Sequence, residues 1–204
     1  MAKFHQNMQL TGVTGHRELV DADRSGLEMA VQACLAEIES RHPGSRQCLI
    51  SGLAAGADQL VAKCALERGW HLHAVLASSV DSFALTMSTV DSRSLREDFL
   101  PRCEKVTIIP NDNPKEAYGY VGVSLAIANS AQSLIALWDG AASRGAGGTA
   151  DTVARFLKAL PQTLSPPEQA KTVYWVRTRR WGASAPPPGP AWEKVISLSH
   201  DPRI

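Results

Sequence analysis

The chain has 204 residues, of which 44% are hydrophobic and 20% are charged, and its formal net charge is +1. This length predicts a single main domain with one substantial core. The nearly balanced charge excludes a disordered polyelectrolyte and a chain that binds polyanions over its whole surface.

Apolar runs in the chain stay well below the ~18 residues of a membrane span, and the first residues lack the apolar segment of a secretory signal. We therefore expect a cytoplasmic protein with no membrane partner. No C-x-x-C pair and no histidine at metal-ligand spacing accompany the cysteines, so we expect reduced thiols, no metal site and no cofactor. The cysteines are Cys34, Cys48, Cys64 and Cys103.

The first half of the chain predicts alternating strands and helices. Residues 8–13 form a largely apolar strand candidate that stops at Gly15. A helix should follow, because apolar residues recur at spacings of three and four from Leu27 to Ile38, and Asp21 or Asp23 is its predicted N-cap. A second strand, residues 48–51, turns at the glycine-rich residues 52–56 into a second helix.

The alternation continues through the second half. We predict strands at residues 71–77, 106–109, 134–138 and 171–176, and a helix rich in small residues at 115–132. Such alternation is typical of an α/β protein, here a Rossmann-like three-layer sandwich with a mainly parallel sheet of about six to seven strands. Residues 1–182 should form this domain, and residues 183–204 a proline-rich extension with an edge strand near 195–198.

Residues 134–153 contain the most informative junction. An apolar strand ends at Trp138, a loop of small residues follows, and a helix is predicted to begin near Thr149. The first N–H groups of a helix have no intrahelical acceptor and lie at the positive end of the helix dipole. A strand, a glycine loop and a helix N-terminus in this order therefore predict a phosphate site.

Three glycine-marked strand ends should meet at the carboxyl edge of a parallel sheet, where such folds bind ligands. Neither G-x-G-x-x-G nor G-x-x-x-x-G-K-[ST] is present, which argues against an ordinary NAD dehydrogenase and a P-loop NTPase. Each junction also has a purely structural explanation in tight helix packing or a turn. The predicted ligand-binding residues are Gly15, His16, Arg17, Ser51, Gly52, Gly56, Asp58, Asp139, Gly140, Gly147, Gly148 and Thr149.

The motifs at residues 12–17, 51–58, 138–140 and 147–151 resemble, in order and spacing, the SLOG superfamily. That group includes the Lonely Guy phosphoribohydrolases, the DNA-processing protein A family and nucleotide-sensing domains. The resemblance implies a Rossmann-like fold that binds a nucleotide or nucleotide-derived molecule at the strand ends, and it suggests a homodimer or larger assembly.

The resemblance departs from the Lonely Guy enzymes at their catalytic positions. Their Arg-Lys pair corresponds to Val123 and Ser124 here, and their glutamate corresponds to Thr152. Catalytic residues are therefore not identified, and binding or sensing of a nucleotide or nucleotide-sugar is the leading hypothesis. An N-glycosidic hydrolase that acts on nucleoside monophosphates through Asp139 or Asp151 is an alternative.

A second alternative is single-stranded DNA binding. The turn at residues 51–58 resembles the Ser-Gly-x-Ala-x-Gly-x-Asp turn of the DNA-processing family, which grips single-stranded DNA in a basic groove. One local cluster combines basic and aromatic side chains and follows the sixth predicted strand. Its members are Arg177, Arg179, Arg180 and Trp181.

Overall fold

The computed structural model describes residues 8–109, 117–143, 145–158 and 171–196. These residues form one sheet with the strand order β4-β3-β2-β1-β5-β6-β7. The first six strands are parallel, and β7 pairs antiparallel with β6 at one edge. The strands are β1 (Met8–Gly15), β2 (Arg46–Ser51), β3 (His71–Leu76), β4 (Cys103–Ile108), β5 (Ser133–Trp138), β6 (Thr172–Arg177) and β7 (Trp192–Ile196).

Helices cover both faces of this sheet. Right-handed crossovers place the helices that follow β1 and β2 on one face and those that follow β4 and β5 on the other. Accordingly, α1 packs against α2, and α5 packs against α6. The α-helices are α1 (Arg24–Arg41), α2 (Ala57–Glu67), α3 (Val80–Ala84), α4 (Thr89–Ser94), α5 (Ala117–Ser130) and α6 (Thr149–Lys158). A π-helix (Leu95–Phe99) follows α4, and short 3-10 helices lie at Asp21–Asp23 and Leu100–Arg102. The predicted Rossmann-like three-layer sandwich with a mainly parallel sheet is confirmed.

The core lies between the sheet and its two helical layers. Leu134 and Ile135 of β5 are fully buried, as are Leu35 and Ile38 of α1. The inner strand β5 is buried on both faces because both faces are covered, and it therefore forms a continuous apolar run in the sequence, whereas the edge strand β4 is mostly exposed. In the part of the chain that the structure describes, no helix combines the length and the apolar character that crossing a membrane requires.

Several element ends differ from their predicted positions. Strand β4 begins at Cys103, before the predicted residue 106. Strand β7 occupies Trp192–Ile196, whereas the prediction was residues 195–198. Residues 197 and 198 lie outside the described residues. The predicted start of α5 at 115 also lies outside them. Asp23 occupies the N-cap position of α1, as predicted, but its side chain makes no capping hydrogen bond. Arg179 instead binds both carboxylate oxygens of Asp23, at 2.6 and 3.1 Å.

The sheet order positions the site. From β1 the chain moves outward through β2 and β3 to β4, and it then returns across the sheet to β5 on the other side of β1. Helices on opposite faces diverge at this reversal, so a crevice opens beyond the carboxyl ends of β1 and β5.

Candidate functional site

The turn between β2 and α2 packs against the end of β1. Gly56 has a φ of +80°, and a Cβ atom there would lie 2.3 Å from the carbonyl oxygen of Arg17. The N–H of Ala57 donates to the carbonyl oxygen of His16 at 3.0 Å. Glycine is needed at residue 56 because only a residue without a side chain allows this backbone approach.

The end of β5 joins the same point. Gly15 is opposite Leu137 in the parallel register, and the N–H of His16 donates to the carbonyl oxygen of Leu137 at 3.1 Å. The N–H of Asp139 donates to Nε2 of His16 at 3.2 Å. The three glycine-marked junctions of the sequence therefore meet at one place.

A cavity of about 640 Å³ opens where the junctions meet. Its volume falls within the 300–1,000 Å³ typical of small-molecule sites. Eight predicted ligand-binding residues line it: Gly15, His16, Arg17, Gly52, Asp58, Gly147, Gly148 and Thr149. The lining also includes side chains that were not in the predicted set, among them Tyr120, Ser124, Trp138, Thr152, Arg180 and Trp181.

Four predicted residues do not line the cavity and instead support its walls. The hydroxyl of Ser51 accepts the N–H of Leu53 at 3.0 Å, and Gly56 carries the backbone contact described above. Gly140 lies against the Trp175 ring. Asp139 is bound by a neighbouring arginine, as described below.

The N-terminus of α6 reaches the cavity, as the sequence predicted, but its loop uses some of its own donors. The N–H of Gly147 is accepted by Asp151 Oδ2 at 2.8 Å, and that of Gly148 by the carbonyl oxygen of Gly145 at 3.2 Å. Thr149 and Ala150 begin the helix, where N–H groups lack intrahelical acceptors, and both line the cavity. The donors that this helix end offers to an anion are therefore the N–H groups of residues 149 and 150 and not those of the glycines.

Arg17 supplies a positive charge to the cavity. Its Nη2 donates to Thr86 Oγ1 at 3.2 Å, and its guanidinium carbon lies 5.3 Å from the centre of the Tyr120 ring. The side chain is exposed, and among the described residues no carboxylate pairs with it. A guanidinium has five N–H donors, and one bond to a neutral hydroxyl leaves others available to an anionic ligand.

Arg180 supplies a second positive charge, which Asp139 balances. Nε of Arg180 donates to Asp139 Oδ2 at 2.7 Å, and Nη2 donates to Oδ1 at 3.2 Å. Burial raises the pKa of Asp139, but the hydrogen bonds from Arg180 and from the N–H of Ala141, with the charges of His16 and Arg180, outweigh it and lower the pKa below its usual range. Asp139 thus orients Arg180 and is not placed to hold ribose.

Asp58 is the carboxyl group that lines the cavity from α2. Its Oδ2 accepts the N–H of Ala54 at 3.3 Å. Burial raises its pKa to about 7, and the Ala54 hydrogen bond and the Arg17 charge only partly offset this effect. A carboxyl group that titrates near neutral pH in a cleft is a typical feature of a functional site.

The positions that correspond to the Lonely Guy catalytic residues are adjacent here but carry no ionisable group. Thr152 Oγ1 lies 3.0 Å from Ser124 Oγ, and Thr152 Oγ1 donates to the carbonyl oxygen of Gly148 at 3.1 Å. Both hydroxyls are buried at the cavity wall. Asp151, considered as an acid or base, instead pairs with Arg155 at 3.0 Å and does not line the cavity.

The basic and aromatic cluster after β6 is divided by the fold. Arg177 pairs with Glu193 at 2.8 Å and stacks on Trp175, and Arg179 pairs with Asp23. These two arginines hold the chain after β6 and do not line the cavity. Arg180 and Trp181 do line it, and Trp181 is 64% exposed.

Fold and cavity together define a doubly wound α/β protein with a cavity at the switch point of its sheet. No family model matches the sequence, and no curated protein matches it. Similar solved structures nevertheless exist.

DNA processing protein A from Helicobacter pylori, a protein that binds single-stranded DNA, is similar at a TM-score of 0.51 and 14% identity, over 77% of this chain and 67% of that one. DNA processing protein A from Streptococcus pneumoniae is similar at a TM-score of 0.49 and 17% identity, over 77% of this chain. The chain spans about half the length of the pneumococcal protein, at 52%. The chain therefore has a fold like that of DNA processing protein A.

Proposed function

We propose that the cavity binds a nucleotide or nucleotide-derived molecule, as in the nucleotide-binding members of the SLOG superfamily. The observation that carries this proposal is the meeting of three glycine-marked junctions around one cavity of about 640 Å³. The cavity combines a helix N-terminus with an arginine that has no carboxylate partner among the described residues.

Each part of a nucleotide has a suitable group in the lining. The N–H groups of Thr149 and Ala150 and the guanidinium of Arg17 suit a phosphate, because helix N-termini and arginine both bind anions. The buried hydroxyls of Ser124 and Thr152 offer hydrogen bonds to a ribose. Trp181, at the cavity wall and mostly exposed, offers a ring for a base to stack on.

Isothermal titration with AMP, ADP-ribose, cyclic ADP-ribose and NAD tests the proposal. At least one should bind, and Arg17→Ala should weaken that binding about tenfold or more, because it removes a charge-assisted hydrogen bond. Arg102→Ala is the matched control: it removes another exposed arginine, which precedes β4 and lies away from the carboxyl ends of the strands, and it should leave affinity unchanged. If no member of the panel binds, or if both variants weaken binding equally, the proposal is wrong.

A second candidate function is single-stranded DNA binding. The similarity to the Helicobacter pylori protein favours it, whereas the size of the cavity and the paired arginines favour a small ligand. Arg177 and Arg179 do not line the cavity, whereas Arg180 and Trp181 do, so the DNA-contacting residues in this case would be Arg180 and Trp181. Arg180 would contact a phosphate through the guanidinium N–H groups that Asp139 does not bind.

Fluorescence anisotropy with a labelled oligothymidine distinguishes the two functions. DNA binding predicts affinity that falls with salt, and Arg180→Ala should reduce the slope of log K against log salt by about 0.7, the value for one phosphate contact on a single strand. Trp181→Ala should weaken binding at all salt concentrations by removing a stacking surface. Competition by unlabelled ADP-ribose would show that both ligands use the same cavity.

The hydrolase alternative has less support, because Asp139 and Asp151 are paired with arginines and neither lines the cavity. Cytoplasmic location, assembly as a homodimer or larger, and the division at residue 183 stay predictions.

A further inference from the structure

Asp58 is a carboxyl group packed into the wall of the cavity. It lies in the first turn of α2, is 9% exposed and faces the cavity. Its Oδ2 would lie 3.0 Å from a Cβ atom at residue 52, so Gly52 leaves the space that the carboxyl group fills. The group is thus enclosed by protein on most sides and open to a ligand on one side.

Two other aspartates near the cavity have cationic partners. Asp139 pairs with Arg180, and Asp151 pairs with Arg155. Among the ion pairs of the described residues, none includes Asp58. The Asp58 carboxyl group is therefore buried without the paired cation that normally offsets the cost of burying a negative charge.

Few charged or titratable groups face Asp58. Arg17 is the charge that acts on it noticeably. Among the described residues, none from α1, β2 or β3 lines the cavity. The charged or titratable groups that share the cavity with it are His16, Arg17 and Glu18 after β1, Tyr120 of α5, and Arg180 after β6.

We propose that Asp58 couples ligand binding to the uptake of one proton, so that the cavity accepts an anionic nucleotide when the Asp58 carboxyl group is neutral. This inference rests on the proposed function. In the neutral form the carboxyl O–H donates a hydrogen bond to an anionic oxygen of the ligand, and the proton comes from solvent. In the ionised form the buried negative charge repels the same oxygen. No covalent bond forms or breaks within the ligand.

The expected size of the effect follows from the fraction of protein in the neutral form. With a pKa of about 7, that fraction is about 0.9 at pH 6 and about 0.1 at pH 8, so apparent affinity should fall about tenfold between these values. ADP-ribose is the probe, because its pyrophosphate has no group that titrates in this range. Titrations in two buffers of different ionisation enthalpy should show uptake of close to one proton per ligand at pH 8.

Two variants separate Asp58 from its neighbours. Asp58→Asn should give an affinity for ADP-ribose that does not change between pH 6 and pH 8. His16→Gln should keep the tenfold change, because the imidazole is then absent and the carboxyl group remains. Proton uptake by the unaltered protein provides a test that does not depend on the folding of either variant.

The outcomes are distinct. If ADP-ribose binds equally at pH 6 and pH 8 with no proton uptake, the inference is overturned and the proposed function stands. If the pH dependence disappears in His16→Gln and persists in Asp58→Asn, the histidine is the coupled group and the inference is again overturned. If ADP-ribose binds at neither pH, both this inference and the assignment of this ligand class are wrong.

Discussion

Replacing Asp58 with asparagine removes a buried ionisable group while keeping nearly the same side-chain shape, and it should change the pH dependence of stability. Burial raises the Asp58 pKa from 3.8 to about 7 in the folded protein. The folded state therefore holds this proton more tightly than the unfolded state does between these values. The free energy of unfolding must then decrease as pH rises through this window and level off above about pH 7.

The magnitude follows from the same pKa values. At 1.36 kcal/mol per pKa unit, a rise from 3.8 to about 7 corresponds to about 4 kcal/mol. About 3 kcal/mol of this change in the free energy of unfolding falls between pH 5 and pH 8.5. The rest falls below pH 5, where the carboxyl group of the unfolded chain titrates. The asparagine side chain has no charge to bury, and its amide oxygen can still accept the N–H of Ala54. Asp58→Asn should therefore be the more stable protein at pH 8.5.

Urea denaturation at pH 5 and pH 8.5 measures the difference. The free energy of unfolding of the unaltered protein should fall by about 3 kcal/mol relative to Asp58→Asn across this range. Asp21→Asn is the control, because the Asp21 carboxylate is 94% exposed. Between pH 5 and pH 8.5, the free energy of unfolding of Asp21→Asn should change by the same amount as that of the unaltered protein. If the free energy of unfolding of Asp58→Asn also changes by the same amount as that of the unaltered protein, then burial does not raise the pKa of the Asp58 carboxyl group and the argument is refuted.

Three further substitutions test how the site is held together, with Gly44→Ala as the control for Gly56→Ala, and urea denaturation measures all three. Gly56→Ala should cost about 3 kcal/mol, because the new Cβ would lie 2.3 Å from the Arg17 carbonyl oxygen at a φ of +80°. Gly44→Ala should cost only about 1 kcal/mol, because Gly44 has a similar φ of +75° but no atom lies within 4 Å of an added Cβ. Equal costs for Gly56→Ala and Gly44→Ala would mean that the junctions are not closely packed. Arg179→Ala should cost about 1 kcal/mol by breaking the partly buried pair with Asp23, and an unchanged midpoint would contradict that estimate.

The fold was predictable because its signals are local. Strands buried on both faces are apolar along their whole length, as residues 134–137 of β5 are, and such a run is visible in the sequence. Glycines at Gly15 and Gly56 mark close backbone contacts at the strand ends. The order of strands and helices then leaves few topologies, since crossovers are right-handed.

The site was predicted less completely because its side chains pair over long sequence distances. Asp139 was expected to hold a ligand, but Arg180, 41 residues later, binds it. Asp23 was expected to cap α1, but Arg179, 156 residues later, binds it. Local rules for caps and loops cannot anticipate a competing partner that tertiary structure brings within 3 Å.

Other lining residues had weak signals or none. Tyr120 lies within a helix of small residues, and nothing in its neighbours indicates that its ring approaches Arg17. Arg180 and Trp181 were visible as part of a basic and aromatic cluster, but the sequence did not show that these two line the cavity while Arg177 and Arg179 do not.

A crystal structure of the protein with ADP-ribose at pH 6 tests most directly whether the meeting point of the three junctions is a nucleotide site. We expect a phosphate oxygen within about 3.2 Å of the N–H groups of Thr149 and Ala150, with Arg17 as its second contact. ADP-ribose bound elsewhere, or an empty cavity at a concentration that saturates binding in solution, would contradict the proposed function.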